Sequence, residues 1–343
     1  MRLLRRLWLR PTSRATALAG YALLAAALYV GAAAGLSVIP GYGVMEQTLR
    51  NIRWPWLVAS AGGIVAALAG YLVAWLGIAG AGGGPRLTGR QRFAAVLVGF
   101  GGFIGRGGSA IDRYAFLAGG VDQREADVRI AALDALEHVP LAVACCPSAI
   151  FLLAVGHTDP PPLDFLWPWA VAPPVGTVAA VLLVARYRGR FRDSAGLRRY
   201  AGLALDGLGL LWALARNRRW GPASVAGMTL FWAGQIFALW AGLAAFGVTL
   251  LAPAVILADA IGYVVTRRGA PLGGAGLLDI TLTMCVWACG APLAGAIAGV
   301  FAYRFFSLFG PMPFCFAALP TLRGIGGQQT APSGEPAVAP HGT

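Results

Sequence analysis

The sequence predicts an all-α, polytopic helical membrane protein: about six spanning helices plus two re-entrant helical hairpins in an inverted-repeat arrangement. Three observations carry that expectation. The first is composition: 58% hydrophobic residues, 12% charged residues and a mean hydropathy of +0.68 make a chain of 343 residues far too apolar to be soluble. The second is a series of apolar runs near the roughly 20 residues that a helix needs to span a bilayer. The third is a glycine-broken, charge-bearing segment that occurs twice inside apolar sequence: Gly105-Arg106-Gly107-Gly108-Ser109-Ala110-Ile111-Asp112-Arg113, and Arg267-Arg268-Gly269-Ala270-Pro271-Leu272-Gly273-Gly274-Ala275-Gly276-Leu277-Leu278-Asp279. Broken backbone and ionised groups at membrane depth persist where protein or water surrounds them, so each segment points to an interior cavity.

Met1 to Arg14 carries Arg2, Arg5, Arg6, Arg10 and Arg14 ahead of the run Ala15 to Val38. That run exceeds a signal-peptide core, so an uncleaved first helix with a cytoplasmic N-terminus is expected. Further spans are expected at Trp54 to Ala79, Ile130 to Val155, Leu166 to Ala185, Ala223 to Phe246 and Leu293 to Leu319. Between them, Phe93 to Leu117 and Leu251 to Cys289 are apolar but interrupted at Gly107-Gly108 and Gly273-Gly274. Glycine weakens a helix interior, and re-entrant hairpins are the natural reading of both regions. Leu197 to Trp212 has arginines at both ends and suits an in-plane interfacial helix, with a seventh span as the other reading. The whole forms one domain over residues 1–323, with a first repeat at about 15–195 and a second at about 196–323. The Gly, Pro, Ser and Ala-rich segment 324–343 is expected to be a disordered tail with no soluble domain after it.

Charge placement supplies the orientation. The Arg86, Arg90, Arg92 connector, the Asp122 to Arg129 connector and the dense run Arg186 to Arg199 all fall on the cytoplasmic side if the first hairpin enters and leaves on one face. The arginine-free loop His157 to Phe165 then falls outside. Ala223 to Phe246 crosses outward, so the second hairpin enters from the opposite face, and the last span returns inward to Arg323. Both termini are expected in the cytoplasm. Trp54, Trp56, Trp167, Trp169 and Trp220 flank spans and read as interfacial anchors.

The formal charge of +13 does not imply nucleic acid, because the 27 basic residues are all arginines gathered in short connectors. Cys145, Cys146, Cys285, Cys289 and Cys315 lie in apolar runs and read as packing residues. Cys285 and Cys289 share a helix face, but no further ligand pair stands near them, and no metal or cofactor is expected. There is no P-loop, so any transport is passive or ion-coupled unless a partner supplies ATP.

Several motifs taken together resemble one family. Gly273-Gly274-x-Gly276-x-x-Asp279, the stretch Gly290 to Ala296 and Tyr303-Arg304 look like the C-terminal signature of the lysylphosphatidylglycerol synthase transmembrane (flippase) family, which includes the flippase half of the bacterial multiple peptide resistance factor. Gly107-Gly108, Asp112-Arg113-Tyr114, Gly120, Arg124-Glu125-Ala126 and Ala135-Leu136-Glu137 resemble its earlier motif. The similarity covers roughly Ala15 to Arg323. The chain departs from the family in having Asp279 where glutamate is common, Leu272 where a proline usually precedes Gly-Gly, and Ser109 where an acid often follows the first Gly-Gly. The resemblance implies a bacterial inner-membrane lipid transporter without the aminoacyl-transferase domain, and so without lipid synthesis. It also implies a phospholipid headgroup as partner, with a separate lipid-modifying synthetase and a homodimer as further expectations.

The candidate binding residues are Arg106, Gly107, Gly108, Asp112, Arg113, Glu137, Gly273, Gly274, Gly276, Asp279 and Arg304; Asp259, Arg267 and Arg268 are further intramembrane charges. Arginine's planar fork suits phosphate oxygens, and half-helix N-termini after each Gly-Gly add N–H donors. The competing reading makes these charges structural: Glu137 and Arg304 pair with Arg113 and Asp279 to hold the hairpins, and Arg267 and Arg268 snorkel to a surface. His138 reads first as a packing residue and second as a proton relay, and Asp206 is expected to face water. A membrane-embedded enzyme acting on lipid phosphates or isoprenoid-linked substrates is the alternative function, although Asp112, Asp259 and Asp279 are too dispersed for a magnesium cluster. A non-transporting lipid-binding scaffold is the third.

Overall fold

The seam of the molecule is a pair of antiparallel helices whose backbones touch. In the computed structural model, which describes residues 14–81, 83–100, 108–155, 163–187, 197–218, 220–266 and 271–328, these are α3 (Trp54–Gly80) and α9 (Gly221–Ala245). Gly63, Gly70 and Gly77 recur every seventh residue on α3 and meet Gly234, Gly227 and Ser224 on α9 in reverse order. A Cβ built on Gly70 would lie 2.5 Å from the Gly227 carbonyl oxygen and the Phe231 nitrogen. Small residues at such spacing let helices associate by close contact where lipid offers no hydrophobic drive. Ser60 Oγ adds a 2.8 Å hydrogen bond to the Ala238 carbonyl across the seam.

The other elements among the described residues are helices too. The chain begins with α1 (Arg14–Ser37) and α2 (Tyr42–Arg50), and α3 is followed by α4 (Gly89–Phe100), α5 (Gly108–Ala118) and α6 (Gln123–Val155). Then come α7 (Leu163–Tyr187) and α8 (Leu197–Arg216). After α9 the order repeats: α10 (Ala252–Thr266), a one-turn 3₁₀ segment Pro271–Gly274, α11 (Leu277–Ala288) and α12 (Leu293–Arg304). The π-turn Phe305–Phe309 and α13 (Met312–Gln328) then continue α12 into one long rod. The sequence α3–α4–α5–α6 therefore has its counterpart in α9–α10–α11–α12/α13. In each half the hairpin ends in the same way. Gly120 (φ 89°) and Gly290 (φ 94°) take left-handed backbone, and the next N–H reaches back to Phe116 at 3.1 Å and to Val286 at 3.4 Å, respectively. The second expected break is a real interruption between helices at Pro271–Gly276. The first falls on residues 101–107, outside the described residues together with Arg267 and Arg268.

Among the described residues, five helical segments are long and apolar enough to cross a membrane: Ala19–Ser37, Trp54–Gly80, Gln123–Val155, Gly221–Ala245 and Leu293–Ile325. They coincide with five of the six expected spans; the remaining one, Leu166 to Ala185, falls on α7, which is 25 residues long and carries Pro168, Pro173 and Pro174. The surface supports the same class, because large apolar side chains such as Leu23, Val58, Val65, Val143 and Leu182 are exposed while Asp112, Arg129, Glu137, Asp259, Asp279 and Arg304 are buried. That is the reverse of a soluble protein. The last helix runs to Gln328, five residues into the stretch assigned from sequence to the tail, and residues 329–343 are outside the described set.

Two long-range ties differ from the sequence reading. Asp206 does not simply face water: its Oδ2 sits 3.2 Å from Arg124 Nη2, fastening α8 to the start of α6. Arg129, expected as a connector charge, is buried. Its Nη1 and Nη2 donate to the carbonyls of Ile78 at 2.5 Å and Ala81 at 2.6 Å, and Glu125 pairs with it from one turn away. Those carbonyls have no helical partner where α3 ends, and a cation at a helix C-terminus also complements the macrodipole.

The seam yields a test with its own control. Gly70→Val is expected to remove most of the monodisperse protein recovered in detergent, because its side chain meets α9 backbone. Gly62→Val, where a Cβ meets nothing within 4 Å, should leave the yield at the wild-type level. Fluorescence-detected size exclusion of both variants reads the difference.

Candidate functional site

The break in the second hairpin is built from left-handed backbone. Leu272 (φ 57°), Gly273 (φ 62°), Gly274 (φ 73°) and Gly276 (φ 82°) lie within five residues, and only at Leu272 does a side chain bear that conformation. Such a turn cannot satisfy its own polar groups, so other elements must supply partners. Arg304, the last residue of α12, does so: Nη2 donates to the Gly273 carbonyl at 2.8 Å and Nε to Asp279 Oδ1 at 2.7 Å. The other oxygen of Asp279 accepts the Gly276 N–H at 2.8 Å, closing the first turn of α11 with an acid where the helix dipole favours one. From the far side α1 covers the turn, with Ala25 packed against Ala275 and Leu308, and the Tyr29 hydroxyl donating to the Phe301 carbonyl at 2.6 Å.

Behind this turn lies a half-open cavity of about 130 Å³. Arg304, Gly273, Ser307 and Tyr303 line one side and Asp259, Tyr263, Trp232 and Gln235 the other, with Phe100 from the first hairpin and Phe231 from the seam completing it. Elements of both halves therefore meet here. Tyr303 donates to Gln235 Oε1 at 3.3 Å, and Tyr263 donates to Glu137 Oε2, which brings the α6 carboxylate to the cavity's edge. Trp232 Nε1 donates to the Glu137 backbone carbonyl at 2.7 Å.

Known protein families and characterised proteins were compared with the sequence, and none of them matches. The likeness set out above thus stands on the motifs themselves.

Of the expected site residues, Gly273, Gly274, Gly276, Asp279 and Arg304 come together at the turn, and the expected Asp279–Arg304 pair is present. Glu137 joins them through Tyr263, not through Arg113. Arg113 pairs with Asp127 one helix away, at 2.5 Å and partly exposed, so the expected Arg113–Glu137 pair does not form. Asp112 is fully buried and accepts from Trp75 Nε1 at 3.0 Å, with the Tyr71 hydroxyl 3.5 Å away; it ties the first hairpin to α3 and does not line the cavity. Gly108 is the buried first residue of α5. His138 packs against Tyr263 in a tilted arrangement with ring centroids 5.7 Å apart, the packing role that sequence favoured. Sequence reasoning did not foresee the aromatic lining, because Phe100, Phe231, Trp232 and Tyr263 come from three helices and carry no local signature. A larger cleft of about 470 Å³ lies between Gly83, Arg86, Gln91, Gly119 and Glu125. It holds none of the buried acids, and the smaller cavity is the better candidate because charge and broken backbone converge there.

Removing one member of a buried pair strands the other, at a cost of about 3–5 kcal/mol. Arg304→Gln is therefore expected to lower thermal stability in detergent more than the double change Arg304→Gln/Asp279→Asn, in which no charge is left alone. A double variant no more stable than the single would show that Asp279 finds its partner elsewhere.

Proposed function

We propose that this protein is a lipid transporter of the bacterial cell membrane, a flippase-like member of the lysylphosphatidylglycerol synthase transmembrane type, moving a phospholipid headgroup between leaflets. The observation that carries this reading is the buried Arg304–Asp279 pair at a helix break beside a half-open cavity, within a body that exposes large apolar side chains. A guanidinium already bonded on Nε and Nη2 is pre-oriented toward an anion, and the left-handed turn adds backbone dipoles beside it. At roughly 30 Å³ per water, the cavity has room for about four waters, the size of a phosphate and not of a whole headgroup. Movement of the rest of the lipid then requires the two halves to part around the site.

In this reading the broken segments α4–α5 and α10–α11 are re-entrant hairpins that enter from opposite faces. The α7 helix supplies the sixth span, and both termini are cytoplasmic. The repeated order of elements supports an inverted repeat, which in transporters sets the binding site at the repeat interface. Aminoacylated phosphatidylglycerol is the lipid that the resemblance favours. A separate synthetase would then supply it.

The test is reconstitution into proteoliposomes containing headgroup-labelled phosphatidylglycerol or its aminoacylated form. Accelerated movement of label between leaflets, lost in Arg304→Gln/Asp279→Asn, is the expected result. Rates equal to those of protein-free vesicles for every anionic and aminoacylated lipid tried would remove the proposal, and chemical conversion of the lipid would replace it with an enzymatic one.

A further inference from the structure

Asp259 stands on α10, an apolar helix, and is 6% exposed. It lines the cavity, and its Oδ2 has no hydrogen-bond partner, which among the described buried side-chain atoms is true of this oxygen alone. The neighbouring charges explain why. Arg304 faces the same cavity but commits Nε to Asp279 and Nη2 to the Gly273 carbonyl, so two carboxylates share one guanidinium and Asp279 holds it. Among the described residues, the other elements packed on α10 bring no spare cation. From α11 comes Asp279, and from the residue just past its end the thiol of Cys289, which donates to the Ala254 carbonyl. From α6 come Asp134, Glu137 and His138, with Glu137 bonded to Tyr263, and from α9 comes the neutral Gln235. An ionised carboxylate left so is costly, since a charge without partner in a low-dielectric interior is among the least favourable buried groups.

A single positive charge at Oδ2 resolves this. An alkali cation requires a shell of several oxygens, yet the lining is mainly Phe100, Phe231, Trp232, Leu278 and Leu282. The Gln235 and Gly273 oxygens already accept hydrogen bonds. A proton requires one oxygen.

We propose that Asp259 is the proton-binding residue of this cavity, taking up one proton from solvent to form an O–H bond at Oδ2 and returning it when the site reopens. Where the cavity carries a lipid phosphate, a consequence that rests on the transport reading above, the anion draws on Arg304 and the proton on Asp259 offsets the charge left behind. Translocation is then coupled to proton movement in the same direction as the lipid. The site itself does not depend on that reading.

Two measurements keep the claims apart. Infrared difference spectra of the purified protein in detergent, taken across a pH titration with no lipid added, are expected to show a protonated-carboxyl C=O signal. It should be missing in Asp259→Asn and displaced in frequency in Asp259→Glu, which retains a carboxyl should the amide variant not fold. Wild-type spectra unchanged by both substitutions would overturn the proposal. In proteoliposomes, acidifying the side from which labelled lipid departs should speed its translocation severalfold in wild type, and Asp259→Asn should move it at one rate with or without the gradient. Translocation by wild type that ignores the gradient would overturn coupling. If wild type moves no lipid at all, the transport reading fails while the infrared result still decides whether Asp259 binds the proton.

Discussion

Two helices in backbone contact set the geometry from which everything else follows. With Gly63, Gly70 and Gly77 against Gly234, Gly227 and Ser224, α3 and α9 lie too close for any larger side chain at those positions, which fixes both their separation and their register. Each is followed by a pair of shorter helices and then a long one, so the register of the seam sets the level at which these elements meet the interior. Phe231 on α9 and Phe100 on the first hairpin reach the cavity because the seam holds them at that level. Tyr71 on α3 packs edge-on against both.

A second theme is the use of arginine to satisfy backbone where helices stop. Arg129 donates to carbonyls at the end of α3, and Arg304 donates to the Gly273 carbonyl at the break before α11. Each guanidinium also holds one carboxylate, Glu125 or Asp279, so its charge is not left bare in a dry interior. A planar cation with five donors meets a carbonyl and a carboxylate at once, which the single ammonium of lysine does less well. The same economy of donors is what leaves Asp259 without one.

Much of this was legible in the chain. Apolar runs of the right length gave the long helices, because hydropathy over 20 residues is a local property, and Gly273-Gly274 gave the break, because glycine's backbone freedom acts where it stands. The Asp279–Arg304 pair was legible as opposite charges at matched depths after one hairpin. What was not legible depends on rotation about a helix axis and on partners far along the chain. Arg129 and Arg113 lie on neighbouring helices with similar surroundings in sequence, yet one is sealed against α3 and the other half-faces solvent beside Asp127. Asp206 found Arg124 for the same reason, and no composition or spacing announces that Tyr263 will reach Glu137 across 126 positions.

The first arm of each hairpin rests on the long helix of the opposite half: α4 packs on α13, and α10 on α6. For a chain made from its N-terminus, this exchange sets an order of assembly. When residues 89–100 leave the ribosome, the long helix they pack on has not yet been synthesised. The first arm therefore lacks that support until α13 emerges, with α3 and α5 beside it before then, so the N-terminal half does not reach its final packing alone. Closure of the fold and completion of the cavity become one late event.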